Sequence, residues 1–90
     1  MSDDTHKILA VHLTDRVTEA VEVQKVFTEY GCNIKTRVGL HDVAGDYCAP
    51  GGVIILELVG PEGITAEVGG RLAAITGVET KVVEFPHGTD

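Results

Sequence analysis

Apolar and polar residues alternate in some stretches of this chain and recur every third or fourth position in others. Lys7 to Leu13 reads as a first strand, with Leu9, Val11 and Leu13 on one face and Ile8, Ala10 and His12 on the other. Both faces are largely apolar, which suits a central strand with something on each side. After Thr14-Asp15-Arg16 the period changes. Val17, Ala20, Val23, Phe27 and Tyr30 recur at helical spacing and define a buried stripe, with Glu22, Lys25 and Glu29 outside. Asp15 or Thr14 can cap that helix, and Glu19 in its first turn suits the helix dipole. Gly31 stands where a left-handed residue would stop it.

Alternation returns in Asn33-Ile34-Lys35-Thr36-Arg37-Val38, so a second strand is expected from about Cys32 to Leu40. His41 to Gly52 follows. Gly45, Pro50, Gly51 and Gly52 read as breakers, and the segment is longer than a simple hairpin turn, so a long loop, mobile or functional, is expected there. Val53 to Val59 is nearly continuous in apolar residues and reads as another central strand. Gly60-Pro61-Glu62-Gly63 is a turn. A second helix is expected from about Ile64 to Thr76, with Ile64, Val68, Leu72 and Ile75 inward. Gly69 and Gly70 weaken it, each by up to about 1 kcal/mol relative to Ala, and close helix-to-sheet packing would account for them. Gly77 ends this helix, Val78 to Phe85 is a last strand, and Pro86 stops it.

The order strand, helix, strand, strand, helix, strand implies an α+β, ferredoxin-like βαββαβ sandwich. It has one antiparallel four-stranded sheet, strands one and three central, and both helices on one face. The other face would carry Ile8, Ala10 and His12 beside Val53, Ile55 and Glu57. A surface that apolar predicts a homodimer or higher homo-oligomer, formed over the face or along an edge strand. Ninety residues make a single domain, 1–90, with a core over about 7–85 and tails at both ends.

Charge narrows the partners. Fourteen acidic residues against seven basic give a net charge of −7. Nucleic-acid affinity comes from Lys and Arg against phosphates, and Lys35 and Arg37 are the only close basic pair, so direct nucleic-acid binding is not expected. No apolar run approaches the ~18 residues of a membrane span, and residues 1–5 lack signal-peptide character; a cytoplasmic location is the default expectation. Cys32 and Cys48 flank the second strand. Nine or ten strand residues span roughly 30 Å, beyond the ~7 Å a disulfide tolerates between Cα atoms. Cys32 is expected as a small buried filler at the strand start.

Asp15-Arg16 after the first strand, and Gly31 with Asn33-Ile34 at the helix-to-strand junction, resemble the ACT-domain class of regulatory ligand-binding modules. Val17-Thr18 stands where that class has Pro-Gly. Arg37-Val38-Gly39, Val53-Ile54-Ile55-Leu56, and Gly69-Gly70-Arg71-Leu72 with Ile75-Thr76-Gly77-Val78 are similar to the stand-alone ACT-like proteins named as iron-only hydrogenase system regulators. The resemblance spans roughly residues 7–85. It implies a small regulatory domain that binds an unknown small molecule, with no enzymatic activity and no identified cofactor. The C-terminal domain of the nickel-responsive regulators is similar in fold, but Arg37 and Gly39 fall near where that family has His ligands.

No nucleophile-and-base set stands out; the only serine is Ser2. The end of the first strand and the connection between strands two and three lie at one end of such a sheet. The expected ligand site is therefore His12, Thr14, Asp15, Arg16, His41 and Cys48. His12, His41 and Cys48, with Asp42 and Asp46 near, are also the candidate ligands of a Zn, Ni or Cu site, the alternative reading being a metal sensor. A third reading is an oligomerisation module without a ligand. In the blander account His12 faces an interface, His41 is a loop residue and Cys48 a small filler.

Overall fold

The computed structural model describes the backbone of residues 6–44 and 47–85, and the side chains of these except 16, 17 and 40–50. The elements are β1 (His6–Leu13), α1 (Arg16–Glu29), a 3₁₀ turn (Gly31–Asn33), β2 (Ile34–Ala44), β3 (Tyr47–Leu58), α2 (Ile64–Ala73) and β4 (Val78–Phe85). They form one antiparallel sheet in the order β2-β3-β1-β4, with the helices on one face, the ferredoxin-like α+β fold that the alternation implied. No helix among the described residues is long and apolar enough to cross a membrane.

Register places the core. Leu9 lies opposite Leu56, Val11 opposite Ile54 and Leu13 opposite Gly52; on the other side of β1, Leu13 meets Val78 and His6 meets Phe85. Leu9, Val11 and Leu56 are fully buried with Val68 and Leu72 of α2, and Val23, Val26 and Phe27 of α1, with Tyr30 just past its end, close the layer. Burying each such side chain is worth about 1.5–3 kcal/mol, so these residues carry most of the folding free energy. The expected second face is also present: Ile8, Ala10 and His12 stand opposite Glu57, Ile55 and Val53 on β3 and opposite Val83, Lys81 and Glu79 on β4.

Helix α1 holds against its own composition. Six of its 14 residues are β-branched, which costs side-chain freedom in a helix, so it depends on burial and on its cap. Its buried stripe is Val23, Val26, Phe27 and Tyr30 with Glu19, whereas Ala20 is exposed. The stripe tilts by one position because the carboxylate of Glu19, not the methyl of Ala20, turns toward the sheet end.

The helix does not stop on a left-handed Gly31; among the described residues the left-handed glycines are Gly60, Gly63 and Gly77. A 3₁₀ turn takes the last carbonyl instead, with Asn33 N–H donating to Tyr30 O at 2.8 Å. Cys32 sits in that turn and is exposed, not buried, because the strand begins only at Ile34. Asn33 then ties two strands. Its carbonyl accepts from Val59 N–H at 2.8 Å, and its side-chain amide donates to Val59 O at 3.0 Å. Gly60, at φ 138°, follows directly, and a Cβ there would run into that amide.

Residues 41–44 and 47–52 are strand along the backbone, not loop. β2 continues to Ala44 and β3 starts at Tyr47, with His41 opposite Gly52, Val43 opposite Cys48 and Ala44 opposite Tyr47. Pro50 and Gly51 fall in an irregularity in which Ala49, Pro50 and Gly51 stand against Asp42 alone, while Gly52 keeps its place opposite His41. A proline, which has no N–H to give the ladder, is tolerated where the ladder is interrupted. A smaller bulge at Lys35 sets the register at the other end.

Helix α2 ends at Ala73, three residues earlier than expected, and turn hydrogen bonds from Ile75 to Leu72 and from Val78 to Ile75 lead into β4. Its two central glycines differ. A Cβ on Gly69 would meet Leu9 Cδ1 at 3.4 Å, the close packing expected of it, whereas one on Gly70 would meet nothing. Gly77 holds φ 88°, and a Cβ there would collide with the Glu19 carboxylate and the Thr14 hydroxyl.

These environments order three substitutions. Gly70→Ala should raise stability by about 0.5–1 kcal/mol by removing backbone freedom from the unfolded chain. Gly31→Ala should be tolerated. Gly77→Ala should lose at least about 1–2 kcal/mol through the left-handed backbone alone. Thermal melts resolve this, since 1 kcal/mol moves the midpoint of a domain this size by about 4–8 °C. Equal melting temperatures for the Gly70 and Gly77 variants would contradict the assignment.

Candidate functional site

Two connections meet at one end of the sheet, the β1–α1 junction and the turn from α2 into β4, and the β2–β3 hairpin runs past them on the neighbouring strands. Leu13 is the hinge point, paired with Gly52 on one side and Val78 on the other. Thr14 N–H donates to Gly77 O at 3.2 Å, and the Thr14 hydroxyl lies 2.8 Å from Glu19 Oε2 and 3.1 Å from Gly77 O. Asp15 N–H donates to Glu19 Oε1 at 3.3 Å, and Asp15 Oδ1 accepts from Thr18 N–H at 3.2 Å. Asp15 is thus the N-cap of α1. Glu19, only 6% exposed, lies within the positive end of the helix dipole. The chain's own carboxylates thus serve amide N–H groups that an outside anion would otherwise need.

Beside this junction a groove of 530 Å³ runs between α1 and α2, lined among others by Thr18, Glu19, Glu22, Arg71, Ile75 and Thr76. On the far face of the sheet a hollow of 250 Å³ lies around Ala10, rimmed by His12, Val53, Glu79 and Lys81. The structure therefore brings Thr14 and Asp15 together but sets His12 apart, on the face away from the helices. His41 and Cys48 are placed only by backbone: His41 lies in the register row of Leu13, one row from His12, and Cys48 lies five residues along β3 from His12's partner Val53. The side chains of Arg16, His41, Asp42, Tyr47 and Cys48, and the whole of Asp46, lie outside the described residues. Among the described residues no three His, Cys, Asp or Glu side chains are grouped to hold a metal ion.

Two participants at the junction escaped sequence reasoning in this role. Glu19 reads there as a dipole-friendly charge, and Gly77 as a helix stop. The signal was the four-residue step from Asp15 to Glu19, which returns a carboxylate to the Asp15 amide. The contribution of Gly77 depends on a tertiary approach across 63 positions.

Further charged pairs lie along the helices and on the far face of the sheet. Tyr30 donates its hydroxyl to Glu67 at 2.8 Å, Arg71 reaches Glu29 at 2.6 Å, and the Arg71 guanidinium lies 5.8 Å from the Tyr30 ring centre. The hydrogen bond to Glu67 raises the Tyr30 phenol above its ordinary pKa, and the bond from Arg71 lowers Glu29 below its own. Glu57, the odd charge of β3, pairs within the chain: His6 Nδ1 is 2.8 Å from its Oε2. That hydrogen bond holds the Glu57 carboxyl below its ordinary value against the opposing push of burial, with help from the Lys35 charge.

No family model and no curated protein matches the chain. Solved structures do. An uncharacterized protein, TM1266, from Thermotoga maritima is 24% identical over 93% of this chain and 99% of its own, with a TM-score of 0.75. CPII, a nitrogen regulatory PII-like protein from Thiomonas intermedia K12 solved with ADP, AMP and bicarbonate, is 12% identical over 99% of each chain, with a TM-score of 0.59. A formyltetrahydrofolate deformylase from Pseudomonas putida KT2440 is 19% identical over 89% of this chain but 28% of its own, with a TM-score of 0.56. At these identities the likeness carries the fold and nothing finer.

The charged pairs set an acid response. Glu29 and Glu57 have folded-state pKa values below the ordinary 4.5. Their contribution is therefore complete above that value and is lost as the pH falls through the lowered values. The melting temperature should drop on acidification below about pH 4.5, and Glu29→Gln with Glu57→Gln should flatten that drop. An unchanged acid slope in the double variant would remove these carboxylates as its cause.

Proposed function

We propose that this chain is a regulatory domain that binds a small molecule at the end of the sheet where the β1–α1 junction and the α2–β4 turn meet beside the β2–β3 hairpin. The observation that carries the reading is the 530 Å³ groove beside that junction, within the ~300–1,000 Å³ range of small-molecule sites. Thr18, Glu19, Glu22, Arg71 and Thr76 supply its polar groups, and Thr14 and Asp15 fix the Glu19 carboxylate beside it. His12 lies on the opposite face of the sheet and outside this groove, and the side chains of Arg16, His41 and Cys48, the rest of the expected set, lie outside the described residues. The role is sensing and not catalysis: the polar groups of the junction are engaged with one another, and none is paired as nucleophile with base.

The PII-like fold neighbour carrying ADP, AMP and bicarbonate supports testing adenine nucleotides first. The resemblance of Arg37-Val38-Gly39 and Gly69-Gly70-Arg71-Leu72 to the iron-only hydrogenase system regulators supports a regulatory role in that setting as the finer reading.

A melting-temperature screen against ADP, AMP, amino acids, bicarbonate and divalent metal ions tests the proposal. A true ligand at 100 times its dissociation constant adds about 2.7 kcal/mol. At ~4–8 °C per kcal/mol that is a shift of at least about 10 °C. A shift with metal alone would favour the His12, His41 and Cys48 sensor instead. No shift with any class at millimolar concentration would remove the ligand-binding reading.

A further inference from the structure

The order β2-β3-β1-β4 leaves one side of the β2 backbone unpaired among the described residues. Against β3 its ladder is regular over residues 36–41 and is interrupted at both ends, between Ile34 and Thr36 and between His41 and Val43. Residues of an antiparallel strand turn their N–H and C=O groups alternately toward one neighbour and the other, so about three of these six offer both groups outward. We propose that this edge takes up an extended acidic segment of another protein as a fifth strand.

Charge selects that partner. The chain carries −7, yet residues 34–41 hold Lys35 and Arg37 and no acidic residue. Lys25, Arg71 and Lys81 are each paired with a carboxylate, whereas Lys35 and Arg37 form no ion pair among the described residues. The Arg37 guanidinium lies 5.3 Å from the Phe27 ring centre. That contact steadies the side chain and leaves its N–H donors for a carboxylate. The opposite edge strand, β4, mixes Lys81 with Glu79 and Glu84 and has no such preference.

Register gives the pattern of the incoming strand. Arg37 stands opposite Leu56 and so lies on the helix side of the sheet, while Thr36 stands opposite Glu57 on the other side. Lys35, at the bulge, lies near enough to Glu57 for its charge to favour the ionised carboxyl. The two cations therefore flank the edge, one on each face. Side chains of an added strand alternate between the same two faces, so two adjacent carboxylates meet the two cations. The next position falls beside Val38, 47% exposed, and calls for an apolar side chain. Gly39 follows, where a Cβ would meet nothing within the chain. No internal contact requires a glycine there, and a glycine inside a strand is one mark of close approach by another backbone.

The probe is the end-blocked hexapeptide Thr-Val-Glu-Glu-Val-Thr, whose order reads alike in both directions and so suits parallel or antiparallel docking. Nuclear magnetic resonance of the isotope-labelled full chain with millimolar peptide reads where it sits. Amide signals of residues 36–41 should shift and their hydrogen exchange should slow, while those of α2 and β4 stay unmoved. Replacing both peptide glutamates by lysine should weaken binding about tenfold. The peptide N-methylated throughout should not bind, because strand addition needs its N–H groups. Lys35→Glu combined with Arg37→Glu should reverse the preference between the two charged peptides. Both side chains are exposed, so the variant should keep the wild-type circular dichroism spectrum. Shifts centred elsewhere, equal binding of the lysine peptide, or no shift at millimolar peptide would each overturn the proposal. Edge amides already protected without peptide, increasingly so at higher chain concentration, would do the same, since a second copy would then hold the edge.

Discussion

A single parity governs the molecule. Leu9, Val11 and Leu13 occupy odd positions of β1 and must face the helices, which leaves Ile8, Ala10 and His12 on the other side. Because side chains alternate along a strand, a shift of one residue would exchange the two sets wholesale. Leu9 opposite Leu56 at the centre makes such a shift prohibitive, since both are completely buried. Everything laterally attached inherits the choice: Val78 goes under α2, and Lys81 and Val83 go outward.

The junction at the end of β1 does for α1 what the parity does for the sheet. A helix with so many β-branched residues has little intrinsic tendency to form. Asp15 caps it, Glu19 returns to the Asp15 amide, and Thr14 joins both to Gly77. The helix start is thereby bound to the start of β4, so two elements distant in sequence share one set of hydrogen bonds. Any group arriving there would have to compete with contacts that already hold the fold.

Much of this was legible in the residues. The period-two pattern of Lys7 to Leu13 gave both faces of the central strand, and Asp15 was readable as a cap. What was not legible depended on partners far away. Gly31 looked like a left-handed stop, yet an i→i+3 bond from Asn33 did the work. Pro50 and its flanking glycines looked like a loop, yet the ladder on either side continued around them. Glu19 looked only like a charge suited to the helix dipole, yet a glycine 58 residues later leaves the space in which its carboxylate is buried. Local chemistry therefore predicted the elements, and the tertiary approach of distant backbone decided how each one ended. The candidate site divides the same way: the cap was visible in the sequence, while the groove and the separation of His12 from Thr14 required the packed helices.

His6 and Phe85 are register partners across β1 and β4. Facing residues of an antiparallel pair stand only about 5 Å apart. The chain therefore enters and leaves the domain through one narrow doorway. A module of this shape can be spliced into a surface loop of a host without prising the host's ends apart, and its own ends can be joined by a short linker and reopened elsewhere. In covalent terms the fold is a closed circuit cut at its edge, which makes it portable between larger architectures.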